Sequence, residues 1–371
     1  MNNRSAFFSL VKAGLWNVAP EPSLFSSVNW NEIYDYSRRQ TLLGIVLDGI
    51  DLLPQELRPN RLLYLKWCAE VLRIEDENKR IDKEVVNLFN MLRSHDVEPV
   101  LMKGQEVALN YPNPSHRACG DIDIYIGKKN YDKVNRLLEE EGMPLEKWSP
   151  KHMMYLWHDV IVENHRILVK MFSPKAHRKL MATVDGWHLS GNTGKVKIEG
   201  SDITVMPLDF EVVFLLLHSV IHLIGEGIGL RQSCDWAMVL DRKHDQIDRE
   251  KVIALLKDIR LDNAARIFGA LAVKYLGMPE EDLILPFNES DSHEADLLME
   301  DMWKNGNFGF SGLKGHKRTG NWFAVRIANY KDVLKRSSQL RKIAPGEAFW
   351  KPWVHSIRYL KIKHFNLTHS H

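Results

Sequence analysis

The segment Gly120–Ile126, GDIDIYI, constrains the fold more than any other stretch of this chain. Ile122, Ile124 and Ile126 alternate with Asp121, Asp123 and Tyr125. Alternation at period two belongs to a β-strand, where successive side chains point to opposite faces. The isoleucines require a core on one side, and the two aspartates share the other. A chain that carries this strand cannot be a purely helical bundle. Residues two apart on a strand lie about 6.6 Å apart. Two carboxylates so placed repel, and one of them titrates high unless a cation arrives. The spacing lets both reach one divalent cation, or share two held about 3.5–4 Å apart. Mg²⁺ suits it, because Mg²⁺ takes one or two carboxylates together with phosphate oxygens. A bare Asp-x-Asp also describes a solvated edge face, so the upstream residues decide.

Val100–Leu101–Met102 is a short apolar strand that runs straight into Lys103–Gly104. A glycine between strand and helix lets the backbone approach a phosphate closely. Glu106, Val107, Ala108 and Leu109 then open a helical turn. Arg117 lies four residues before Asp121. Lys103, the Gly104–Gln105 turn, Arg117, Asp121 and Asp123 together describe a site for a triphosphate and a metal ion.

The 371 residues are enough for two or three domains. Residues 1–92 read as helical, with one long helix from Pro59 to Ser94 whose charged middle, EDENKRIDKE, is expected to stand clear of the core. Residues 93–205 mix strands and helices. A helix at YDKVNRLLEE ends at Gly142. WHDVIVENHRILVKMF predicts a hairpin turning at Asn164–His165. From Pro207, a residue suited to a first helical turn, residues 206–371 return to helix. A Gly-rich basic loop is expected over 305–320, then two basic amphipathic helices that part at Pro345–Gly346. The fold class is therefore α+β, with a small mixed sheet flanked by helical regions.

With 44% hydrophobic and 26% charged residues, the composition excludes wholesale disorder and a collagen-like chain. Three scattered cysteines exclude a disulfide framework and a cysteine-based zinc site. A reducing, cytoplasmic setting is expected. The most apolar stretch, Val212 to Gly225, is short of the ~20 residues a membrane span needs and contains His218 and His222. Net charge is only +2, yet residues 301–371 hold 14 Lys and Arg against 3 Asp and Glu. That basic end suggests a nucleic-acid or protein partner, or simply a solvated basic surface.

Strand, glycine turn, helix, then Asp-x-Asp on the next strand resembles the nucleotidyltransferase superfamily of the DNA polymerase β type. The closer resemblance is to its bacterial "uncharacterised nucleotidyltransferase" branch, with the pattern LKG…YP…R…GDIDL. Met102–Lys103–Gly104, Tyr111–Pro112, Arg117 and Gly120–Ile124 match it here. A hairpin histidine, His158, and a "GLR…D" pattern at Gly229–Leu230–Arg231 and Asp235 extend it over some 300 residues. The resemblance implies transfer of a nucleoside monophosphate from a nucleoside triphosphate to an acceptor it does not name. Mg²⁺ or Mn²⁺ is implied at Asp121 and Asp123, with Lys103, Gly104, Gln105 and Arg117 on the phosphates.

Two departures stand out. The turn is Gly104–Gln105 where the superfamily has Gly-Ser or Gly-Gly. Relatives carry a third acid in an acid–x–His pattern on the second hairpin strand, and the aligned positions here are Lys170 and Phe172. Lys170 would then face the aspartates in place of a cation. Asp159 or Glu163, on the other hairpin strand, is the substitute third acid. A degenerate nucleotide-binding or scaffold protein is the alternative reading.

His218 and His222, four apart on one helical face, lack the glutamate of a zinc-protease motif and are expected in the core or at an interface. Arg231 and Asp235 suit an ordinary helix ion pair or a place facing the cleft. His158–Asp159 matches the dipeptide of metal-dependent phosphohydrolases, but in strand surroundings it is set aside. Trp350, Trp353, Tyr359 and Phe365 interleave with basic residues; burial against the body is expected, with nucleic-acid stacking as the alternative.

Overall fold

The structure, a computed structural model, describes residues 3–148, 151–306 and 322–368. Helices α1 (Asn3–Trp16), α2 (Trp30–Arg39) and α3 (Leu43–Asp51) lead into α4 (Arg61–Ser94), the long predicted helix. Asn60 caps it, its side chain accepting from the Leu63 amide. Ile81, Val85, Leu88, Phe89 and Leu92 recur at helical spacing and are buried against the sheet.

The charged middle of α4 does not stand clear. Glu75, Asn78 and Asp82 lie at i, i+3 and i+7 and face the loop that precedes the Asp-x-Asp strand. The Asn78 amide donates to the Ser115 and Arg117 carbonyls at 2.7 and 3.0 Å. His116 bridges Glu75 and Asp48. Polar residues in a helix middle signal exposure only when nothing polar packs on them. Gly44, on α3, lets this loop come close, since a Cβ there would overlap the His116 carbonyl.

Seven strands form one sheet in the order β3-β4-β5-β2-β1-β7-β6. They are β1 (Val100–Leu101), β2 (Asp121–Tyr125), β3 (Leu145–Trp148), β4 (His152–Trp157), β5 (Val160–His165), β6 (Gly194–Ile198) and β7 (Ser201–Val205). Strand β2 runs antiparallel to β1 and parallel to β5, with Asp121 opposite Ile161 and Asp123 opposite Glu163. Helices α5 (Gln105–Ala108) and α6 (Gly127–Glu140) follow β1 and β2. Gly142, at φ +74°, ends α6 as expected. One sheet face carries Ile122, Ile124, Tyr155 and Val162 into the core under α4 and α6.

The hairpin differs from the expected one. It turns at His158–Asp159, both at positive φ, and not at Asn164–His165, which lie inside β5. His and Asp are among the few residues that tolerate this backbone region. Residues 167–172 are consequently not a strand, and Lys170 is exposed in the segment that leads to α7 (Pro174–Leu189).

The C-terminal part contains α8 (Leu208–Gly225), α9 (Leu230–Lys243), α10 (Arg249–Asp258), α11 (Asp262–Leu271), α12 (Glu289–Asn305), α13 (Trp322–Gln339) and α14 (Pro345–Thr368). Among the described residues α8 is the one helix long and apolar enough to cross a membrane, and 72% of it is buried inside the protein. Helix α14 begins at Pro345, as expected. Its aromatics do not all bury: Phe349 and Trp353 are 60% and 58% exposed, with Trp350 and Ile357 also exposed. Most of the predicted Gly-rich loop, from residue 307, lies outside the described residues, as do the side chains of Tyr359 and Phe365.

Glu106 and Glu211, each about 1% exposed, meet inside the protein, and Lys243 reaches Glu211 at 3.3 Å. Burial, then the neighbouring Glu211 charge, pushes the Glu106 carboxyl well up. A raised folded-state pKa contributes stability below the unfolded value of about 4.3 that is lost as pH rises through the folded value. Glu106→Gln keeps a donor and removes the ionisation. The variant is expected to match the parent near pH 4 and to exceed it at pH 8–9, by about 1.4 kcal/mol for each tenfold change in proton affinity. Denaturant melts across this range check it; a variant weaker than the parent at every pH refutes it.

Candidate active site

The sheet face opposite the α4–α6 core carries the polar cluster. Because β2 and β5 are parallel and in register, Asp123 and Glu163 are direct neighbours. Because β4 and β5 are antiparallel, His152 stands opposite His165 and Met154 opposite Glu163. Asp121, Asp123, Glu163, His165 and His152 thus share one surface.

Lys103, from the end of β1, reaches Asp123 at 2.7 Å and Asp121 at 3.9 Å. The His165 Nε2 lies 2.9 Å from Asp123 and 3.2 Å from Glu163. Burial alone would raise the Asp123 carboxyl; the Lys103 charge and the His165 hydrogen bond outweigh it and hold it well below the usual range. Asp121 is more exposed and shifts upward, first because of the Asp123 charge, then because of burial. Burial would lower His165, but its bonds to Asp123 and Glu163 lift it to about 9. Lys103 is likewise raised by the Asp123 and Asp121 charges against the cost of burial. Three carboxylates therefore meet two cationic side chains.

Gly104 sits at φ +80° and ψ −110°, a conformation open to glycine and costly for other residues. The Gln105 side chain turns away into α4, donating to Asp82 at 2.5 Å and to the Asn78 carbonyl. The Arg117 guanidinium is buried and held by both Asp235 oxygens at 2.7 and 2.8 Å. Tyr111 donates to the same carboxylate at 2.7 Å. Arg117 is therefore a wall of the site, and Asp235 pairs with it instead of forming the simple α9 ion pair with Arg231. Arg231 lines the cleft and donates to the Ala118 carbonyl at 2.6 Å. The cleft, about 410 Å³, is lined by Lys103, Asp121, Glu163, His218, Arg231 and Gln232 among others. Asp159 lies in the hairpin turn, and neighbouring His158 bonds Glu84 at 2.7 Å.

The acid–x–His pattern expected on the second hairpin strand is Glu163–Asn164–His165, not Lys170 and Phe172. His152 was not singled out from the sequence, His165 was read as a turn residue, and His218, expected in the core or at an interface, lines the cleft. The His218 and His222 rings lie 4.4 Å apart, centroid to centroid, tilted by 52°. Burial holds both neutral, His222 at about 4.

A family model described as an uncharacterised nucleotidyltransferase matches residues 26–277. A search of curated proteins finds no match. Among solved structures, an antigenic nucleotidyltransferase-like protein from Paracoccidioides brasiliensis is 14% identical, with a TM-score of 0.35 over 59% of this chain and 97% of that one. A likeness of that degree fixes neither fold nor chemistry.

Proposed function

The chain belongs to the uncharacterised nucleotidyltransferase family, and from that premise we propose that it moves a nucleoside monophosphate from a nucleoside triphosphate to an acceptor, with Mg²⁺ or Mn²⁺ at Asp121 and Asp123. The observation that carries this reading is the in-register trio of Asp121, Asp123 and Glu163 on one sheet face at the cleft. The donor set suits a hard divalent cation, because the aspartate oxygens converge on one cationic group, Lys103. When bound, such an ion neutralises phosphate charge and lowers the pKa of an attacking hydroxyl.

The protein's own groups complete the proposed chemistry. Lys103 moves from the aspartates to the phosphates. Arg231 faces the leaving pyrophosphate across the cleft. Glu163 takes the proton of the attacking hydroxyl. Gly104 keeps the β1–α5 backbone open to phosphate approach. The degenerate-scaffold alternative drew its support from Lys170, which lies outside the strand. Calorimetric titration of ATP, GTP, CTP and UTP tests the reading. At least one is expected to bind in the presence of Mg²⁺ and to lose most of that binding in Asp121→Asn/Asp123→Asn. Binding indifferent to both metal and variant would return the scaffold reading.

A further inference from the structure

We propose that His152, Glu163 and His165 form a second cation subsite beside the aspartate pair, one selective for a divalent transition metal of the zinc class. The subsite shares Glu163 and Asp123 with the proposed function, but cation uptake there can be read without it; its role in phosphate chemistry rests on that reading.

The strand pairing builds the subsite. His152 and His165 are directly opposed across β4 and β5, and Glu163 is two residues from His165 on the same face. The His152 Nδ1 lies 3.4 Å from Glu163 Oε2, and the His165 Nε2 lies 3.2 Å from the same oxygen. All three donors fall within 4.8 Å of one another. Zinc bonds to nitrogen and oxygen run about 2.0–2.2 Å, so the edge of a tetrahedron around such an ion is about 3.4 Å. Two of the donor separations match that edge. Asp123 Oδ1, 2.9 Å from His165 Nε2, is in reach as a fourth donor. His165 and Asp123 are almost fully buried, while His152 and Glu163 remain partly open.

Chemistry separates the two subsites. Mg²⁺ prefers oxygen alone and keeps its waters, whereas imidazole favours zinc-class ions. Asp121 and Lys103 face an all-oxygen position, and the hairpin offers two nitrogens and an oxygen. Glu163 and Asp123 are shared between the positions, as ligands are in two-metal phosphoryl-transfer sites.

Co²⁺ is the probe, because its visible absorption reports nitrogen ligation directly. Chelator-treated full-length protein is expected to take up one Co²⁺ with a saturable band between 500 and 650 nm. His152→Asn and Glu163→Gln should weaken that uptake at least tenfold, Asp121→Asn and the surface variant His244→Ala less than threefold. A second measurement needs no variant: substoichiometric Zn²⁺, and not Mg²⁺, should shift the ring resonances of His152 and His165 before those of other histidines. No Co²⁺ band, a band that survives His152→Asn, or Zn²⁺ shifts that spare these two rings would overturn the inference and leave His165 hydrogen-bonded to Glu163 with His152 beside it. Nucleotide binding lost with the Co²⁺ band intact would instead overturn the proposed function.

Discussion

Asp235→Ala is expected to lower the unfolding free energy by about 3–5 kcal/mol, the cost of leaving one partner of a buried ion pair uncompensated. The Arg117 guanidinium would remain buried without the two oxygens that now hold it, and the Tyr111 hydroxyl would lose its acceptor. Arg117→Met/Asp235→Leu should recover much of that loss, because removing both charges removes the unpaired one. The pair also shapes the acid limb. Burial would raise the Asp235 carboxyl, but the Arg117 charge outweighs it and holds it low. A lowered folded-state pKa contributes stability above the unfolded value of about 3.9 that disappears as pH falls through the folded value. The parent should therefore lose more stability than Asp235→Ala on acidification below about pH 4. Denaturant melts at pH 7 and pH 3 measure both effects. A loss under 1 kcal/mol at pH 7 would mean that Arg117 finds another partner.

With water as the acceptor of the nucleoside monophosphate, Glu163→Gln should slow pyrophosphate release by on the order of 10²–10⁴, the usual contribution of a positioned general base. Nucleotide affinity should change only severalfold, since Gln preserves the shape of the strand face and the aspartates remain. A rate within threefold of the parent would remove Glu163 from proton transfer and leave it a ligand or a packing residue. This variant separates the chemistry of the third acid from the metal-dependent binding that the aspartate variants report.

Much of the scaffold was legible locally. Period-two alternation located β2, and period-3.6 spacing located α4 almost to the residue. The glycine after β1 announced the turn. The hairpin turn was misplaced for an identifiable reason, which left Glu163 only as a substitute for the acid expected at Lys170. Asn164 looked like a turn residue, and the true turn, His158–Asp159, carries no glycine. Moving the turn by six residues replaced Glu163–Asn164–His165 with Lys170 and Phe172. The signal was present in the two six-residue runs that flank His158–Asp159. Which groups face one another was not legible, because it depends on register between strands far apart in sequence. His152 becomes a site residue only once β4 pairs with β5. Arg117 looked like a phosphate ligand until the fold brought Asp235 to it from α9. The polar middle of α4 looked solvated because its partners, the His116 ring, two loop carbonyls and the Gln105 amide, come from segments farther along the chain.

Those partners give α4 a phase requirement. Glu75, Asn78 and Asp82 form a polar stripe on a rod roughly 51 Å long. They grip, in order, His116, the carbonyls on either side of it, and Gln105 beside the glycine turn. Glu84, on another side of the same rod, holds the hairpin tip through Trp157 and His158. One helix thus sets the angular positions of both banks of the cleft. A single inserted residue in this stretch would rotate everything after it by about 100° and slide it 1.5 Å along the axis. The aspartate loop and the hairpin would fall out of step although no site residue had changed. Helix α4 is built to accept substitutions on its open face and to refuse insertions.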